Sequence, residues 1–163
     1  MHDTLLATKL YVPPPRAGAV ARPRLIEKLR AGLDRPHTVT LLSGPAGSGK
    51  TTLLSEFVAT TGHPVAWLSL DAADDDPARF WAYLIAACQS AIAGLGEAAL
   101  SLVHAPQPLP PDAVPTILIN DLAAQDKVLV LILDDLHELQ SHSIHAGLTF
   151  LLDHLPGSLR LVV

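Results

Sequence analysis

The 163 residues are 49% hydrophobic and carry a net charge of -5, which is apolar material for one domain with a core and too little length for two ordinary ones. The 11 Lys and Arg are scattered and form no basic face of the kind that phosphate-backbone binding needs, so this stretch is not expected to hold DNA or RNA itself. Cys88 is the only cysteine; an intrachain disulfide is excluded, and a reducing cytoplasm is the expected setting.

The first ten residues, Met-His-Asp-Thr-Leu-Leu-Ala-Thr-Lys-Leu, lack a basic region followed by a long apolar stretch, so no signal peptide is expected. The cleanest apolar run, residues 128–133, stops at two aspartates, well short of the roughly 20 residues that a bilayer crossing takes. Residues 1–21 read as an extended, proline-rich arm, because prolines 13–15 remove backbone donors and bias their predecessors away from helix. Residues 22–163 read as the folded domain. From Pro23 onward Leu25, Ile26, Leu29 and Leu33 share one helical face, opposite Glu27, Lys28 and Arg30.

Residues 38–43 (Thr-Val-Thr-Leu-Leu-Ser) predict a strand that runs into a glycine-rich turn and then a helix carrying Leu53, Leu54, Phe57 and Val58. Residues 64–70 predict a second strand, after which Asp76 can cap and Pro77 can start a helix burying Phe80, Tyr83, Leu84, Ala87 and Ile92. Five prolines in residues 105–115 predict a surface connection, and Val114, Ile117, Leu118 and Leu122 a short helix beyond it. Residues 128–133 predict a strand covered on both faces. A helix over 143–155 and a strand over 159–163 complete the pattern. Strands alternating with helices predict an open parallel sheet with helices on both faces, a three-layer α/β/α fold. A chain stopping inside a strand also suggests a longer polypeptide.

The chemistry concentrates in Gly44-Pro45-Ala46-Gly47-Ser48-Gly49-Lys50-Thr51, which fits G-x-x-x-x-G-K-[ST] between a predicted strand and a predicted helix, as the motif requires. Glycines let backbone amides approach phosphate oxygens, and the helix start presents positive charge to the anion. Lys50 can reach the β- and γ-phosphates, and the Thr51 hydroxyl can face magnesium. Thr52 follows as a further contact. Asp134 and Asp135 fall at the carboxyl end of the buried strand, the edge where open α/β sheets bind ligands. Asp134 is then the candidate magnesium partner, directly or through water, and Asp135 the residue to orient or deprotonate an attacking water. The plain alternatives are a glycine turn before an ordinary helix and carboxylates that merely end a strand.

Other clusters read as structure. Asp71, Asp74, Asp75 and Asp76 lack the spacing and glycine of a calcium loop and read as helix caps. His142 and His145 have no Cys or Glu partner to complete a zinc set and read as solvent-facing. Trp67 and Trp81 read as core, with an exposed Trp81 as the alternative.

Taken together, these residues resemble a family: the large ATP-binding regulators of the LuxR type, a MalT-like group within the signal-transducing ATPases with numerous domains. The resemblance rests on Thr-Lys-Leu-Tyr-Val-Pro-Pro-Pro at 8–15, Val-Ala-Arg-Pro-Arg-Leu at 20–25, the phosphate loop, Ala-Trp-Leu-Ser-Leu-Asp at 66–71 with Asp-Asp-Asp-Pro-Ala-Arg-Phe at 74–80, and Leu-Asp-Asp-Leu-His at 133–137. It implies that the segment from Val20 to Leu25 lies against adenine, making Val20 and Arg22, then Arg24, candidate contacts. Solvated charges at a helix start remain the alternative for both arginines. It also implies ATP and ADP as ligands with Mg2+, and a switch in which ATP and an inducer turn an ADP-bound monomer into an oligomer that activates transcription. Inducer and DNA would be bound by parts outside these residues, a polar segment with an arginine, a further strand and a helix-turn-helix among them. Leu136 stands where relatives often carry an aromatic residue. The sheet order implied is 5-1-4-3-2, so residues 159–163 should lie between 38–43 and 128–133. Direct pairing of 38–43 with 128–133 would favour the competing reading, a P-loop metabolic kinase or other ATPase.

Overall fold

Strands β1 (Val39–Thr40), β2 (Val65–Ser69), β3 (Leu129–Asp134) and β4 (Leu159–Val162) hydrogen-bond in the order β1-β4-β3-β2, every neighbouring pair parallel. This computed structural model describes residues 5–106 and 109–163; the expectations that bear on residues 1–4 and on 107–108 of the proline-rich connection lie outside the described residues. β4 stands between β1 and β3, with Val39 opposite Leu161 and Leu131 opposite Leu161. The kinase-type pairing of β1 with β3 is therefore not the one adopted. The four strands follow the expected 1-4-3-2 part of the sheet.

β3 is buried at all six positions, and its alternation divides the core between the two faces of the sheet. Leu129, Leu131 and Leu133 join one apolar cluster with Leu68, Phe80 and Leu84, while Val130 and Ile132 join the other with Leu29, Phe57 and Trp67. Helices α1 (Pro23–Leu33) and α2 (Lys50–Thr60) cover the second face; α3 (Pro77–Ala91), α4 (Glu97–Val103), α5 (Ala113–Ala123) and α6 (His142–Asp153) cover the first. Both α1 and α3 start on a proline, and Asp76 caps α3 by accepting from the Arg79 amide at 2.9 Å. Trp67 and Trp81 are both core residues, which removes the exposed alternative for Trp81.

Three expectations need correction. β1 has two residues where six were expected, although Leu161, Val163 and Leu42 amides extend the backbone bonding from Thr38 to Leu42. Val39 and Leu41 are exposed because β1 ends the sheet among the described residues, so their apolar character is not spent on a core. α5 takes in Pro115, which had been assigned to the surface connection; in the first turn a proline costs no intrahelical bond, because amides there have no partner within the helix. α4 was not anticipated, since seven residues are too few to display a helical period.

Candidate nucleotide site

The turn after β1 is shaped by residues without side chains. Gly49 holds φ +83°, which side chains resist, and α2 starts directly after it. A Cβ on Gly44 would meet Ser48 Oγ at 2.8 Å, so a side chain there would have to displace the serine hydroxyl. The loop bends at Pro45, whose carbonyl accepts from the Ser48 amide at 3.1 Å. Lys50 Nζ lies inside this arch and donates to the carbonyls of Gly44 at 2.6 Å and Pro45 at 3.3 Å.

One residue further on, Thr51 Oγ1 donates to Asp134 Oδ2 at 2.8 Å, across 83 residues of sequence. β3 ends there, so sheet packing sets the carboxylate against the start of α2. Burial pushes the Asp134 carboxyl above its ordinary value, and the Asp135 charge adds to this; the Thr51 hydroxyl pulls the other way. Asp135 takes a left-handed conformation, φ +62°, and is about half exposed. Its carboxylate lies 4.0 Å from His137 Nδ1, and both residues line the cavity beside the glycine loop.

That cavity measures about 850 Å³, within the range of small-ligand sites. It is lined by the loop from Ser43 to Thr52 except Pro45, by Leu133 to Glu138, and by Arg16, His145 and Val163. Pro45 contributes its carbonyl to Lys50 rather than a wall of the cavity. A second hollow of about 240 Å³ adjoins it, where Arg16, Gly49 and Thr52 line both and Val20, Arg22 and Glu56 line the second. The Arg22 guanidinium lies over Gly49, 3.4 Å from where a Cβ would be. Arg24 lines neither space.

The arrangement suits a polyphosphate. Closely approaching backbone, an ammonium within the loop and a helix N-terminus face the phosphate side, while a hydroxyl and a carboxylate that already touch supply oxygen donors fitting a hard divalent cation. Sequence reasoning had not singled out Arg16, Glu138 or His145 for this site. His145 was read as solvent-facing; it is exposed, yet it lines the cavity and its Nε2 donates to the Leu139 carbonyl at 2.9 Å.

A family model described as an AAA ATPase domain matches residues 19–163. The chain belongs to the AAA ATPase domain family. This AAA ATPase domain is similar to the HTH-type transcriptional regulator MalT of Cronobacter sakazakii, 36% identical over 159 residues and 98% of the chain. It is 35% identical over the same length to the regulators of that name from Yersinia pestis and Yersinia pseudotuberculosis. The chain spans 17% of the length of each of these relatives. Among the described residues, no helix is long and apolar enough to cross a membrane.

Proposed function

We propose that this AAA ATPase domain binds ATP and ADP and hydrolyses ATP slowly, as the nucleotide switch of a MalT-like transcriptional regulator in the cytoplasm. The observation that carries the proposal is the 2.8 Å contact between Thr51 Oγ1 and Asp134 Oδ2 beside the glycine loop. Two residues distant in sequence, each needed at the metal, meet where the phosphates would lie. In this reading the amides of Gly44 and of Ala46 to Thr52 cradle phosphate oxygens while Pro45, which has no amide hydrogen, bends the loop; Lys50 faces the β- and γ-phosphates, and Val20 and Arg22 flank the base. Thr51 and Asp134 hold magnesium, which when bound offsets phosphate charge. Asp135 orients the attacking water and takes its proton as the bond to the γ-phosphorus forms and the link between β- and γ-phosphate breaks. Inducer and DNA are met by other parts of the longer regulator, which self-associates in its ATP-bound state.

Titration calorimetry tests the site. Lys50→Ala is expected to weaken ATP binding about a hundredfold, the loss of strong charge-assisted hydrogen bonds. Asp135→Asn should leave Mg-ATP affinity near that of the parent and lower turnover. Folded Lys50→Ala protein with the parent's ATP affinity would sink the phosphate-loop assignment.

A further inference from the structure

Two members of the acidic turn after β2 behave as caps: Asp71 closes a capping box on the 3-10 turn Ala72–Asp74, and Asp76 caps α3. The two between them also bond beyond the turn, Asp74 while completing the capping box with Asp71. Asp74 is fully buried; its carboxylate accepts from Lys9 Nζ at 2.5 Å, from Arg79 Nε at 3.3 Å and from the Asp71 amide at 3.0 Å. Lys9, itself buried, also pairs with Asp71 at 2.7 Å, and the Leu6 amide donates to the Tyr83 hydroxyl, so the N-terminal segment is fastened here. Asp75 points the other way. Its Oδ1 accepts from the amides of Gln140 at 2.9 Å and Ser141 at 2.7 Å, both more than 60 residues distant.

Those two amides end the segment that begins with Asp135. At its start Asp135 leaves β3 in a left-handed conformation, and Asp135, Leu136, His137 and Glu138 all line the nucleotide cavity. At its end Ser141 precedes α6 and makes no capping bond with its own side chain. The bonds from Asp75 are charge-assisted, hence stronger than those between neutral groups. The segment is thus held by β3 at its start, by the buried Leu139 with its bond from His145 in the middle, and at its end by the turn that Asp74 anchors to Lys9.

We propose that Asp75 is a positioning residue for Asp135, and that Lys9, through Asp74, fixes the turn from which Asp75 acts. The inference rests on the nucleotide-site reading above. It makes the N-terminal segment part of the catalytic geometry, although Lys9 lines neither cavity.

The test measures ATP turnover and ADP affinity separately in the parent, Asp75→Ala, Asp75→Asn and Lys9→Met, together with amide exchange at Gln140 and Ser141. Asp75→Ala should lower turnover about tenfold with ADP affinity unchanged within about threefold, the mark of a group that matters to the reacting geometry rather than to ground-state binding. Asp75→Asn keeps an acceptor oxygen at the same place and should recover most of the loss. Lys9→Met should speed exchange at Gln140 and Ser141 about tenfold by loosening their acceptor; if Asp75→Ala does not fold, Asp75→Glu, which moves the acceptor by one methylene, carries the test and should lower turnover with ADP affinity unchanged. Parent-like turnover in Asp75→Ala, or parallel losses of turnover and ADP affinity, overturns the positioning role. Unchanged exchange in Lys9→Met overturns the link to the N-terminal segment. A parent that binds neither ATP nor ADP sinks the nucleotide-site reading itself, and this inference with it.

Discussion

Asp134 illustrates a conflict between site and stability. Its carboxyl is pushed above the ordinary 3.8 chiefly by burial, so the folded state holds a proton more tightly than the unfolded chain does. Stability from this group is greatest when it is protonated and falls as pH rises from about 3.8 through the raised value. At neutral pH the ligand-free protein therefore carries a buried carboxylate that costs it stability. Asp134→Asn should raise the melting temperature at pH 7 while removing the magnesium dependence of nucleotide binding, and the gain should vanish well below pH 3.8. Melting curves across that range check it; no gain at neutral pH would refute the sign. The placement of the glycine loop was legible because its motif is contiguous between a strand and a helix, and that of Asp134 because a buried strand ends on it. Arg16 and His145 were not: one sits in an arm whose path no periodicity encodes, the other on a helix whose rotation depends on packing.

Among the elements, α6 meets α3 through a helical glycine. A Cβ on Gly147 would lie 2.7 Å from Trp81 Cζ2 and 2.8 Å from the Pro111 carbonyl oxygen. An alanine in a helix interior ordinarily gains about 1 kcal/mol over glycine. Here the clash with a buried indole and with backbone outweighs it, and Gly147→Ala should lose about 1 to 3 kcal/mol, the usual cost of overpacking. Chemical denaturation midpoints would report the loss, and a more stable variant would show that the contact gives way. Strands and long helices were readable from period and caps, whereas this close approach could not be read, because a glycine looks alike in a turn and in a tight crossing. The acidic turn was half readable: Asp71, Asp74 and Asp76 cap as expected, but the Lys9 partner of Asp74 and both partners of Asp75 lie more than 60 residues away in sequence.

For the molecule as a whole, the governing feature is that β4 occupies the inside of the sheet. Among the described residues β1 hydrogen-bonds only to β4, and Arg160 on β4 donates to the Leu33 carbonyl at the end of α1. A chain shortened to residues 1–158 should lose ATP binding even though every residue of the phosphate loop remains; calorimetry showing parent-like affinity would disprove it. There is a consequence in time as well. About 120 residues separate β1 from β4, so at 5 to 20 residues per second the ribosome takes roughly 6 to 24 seconds between them. Throughout that interval the glycine loop is already made, but β1, the strand that leads into it, has no partner. On the proposed reading, nucleotide acts only on a chain that has been synthesised past its fourth strand, which makes occupancy of this site a late event in the making of each copy.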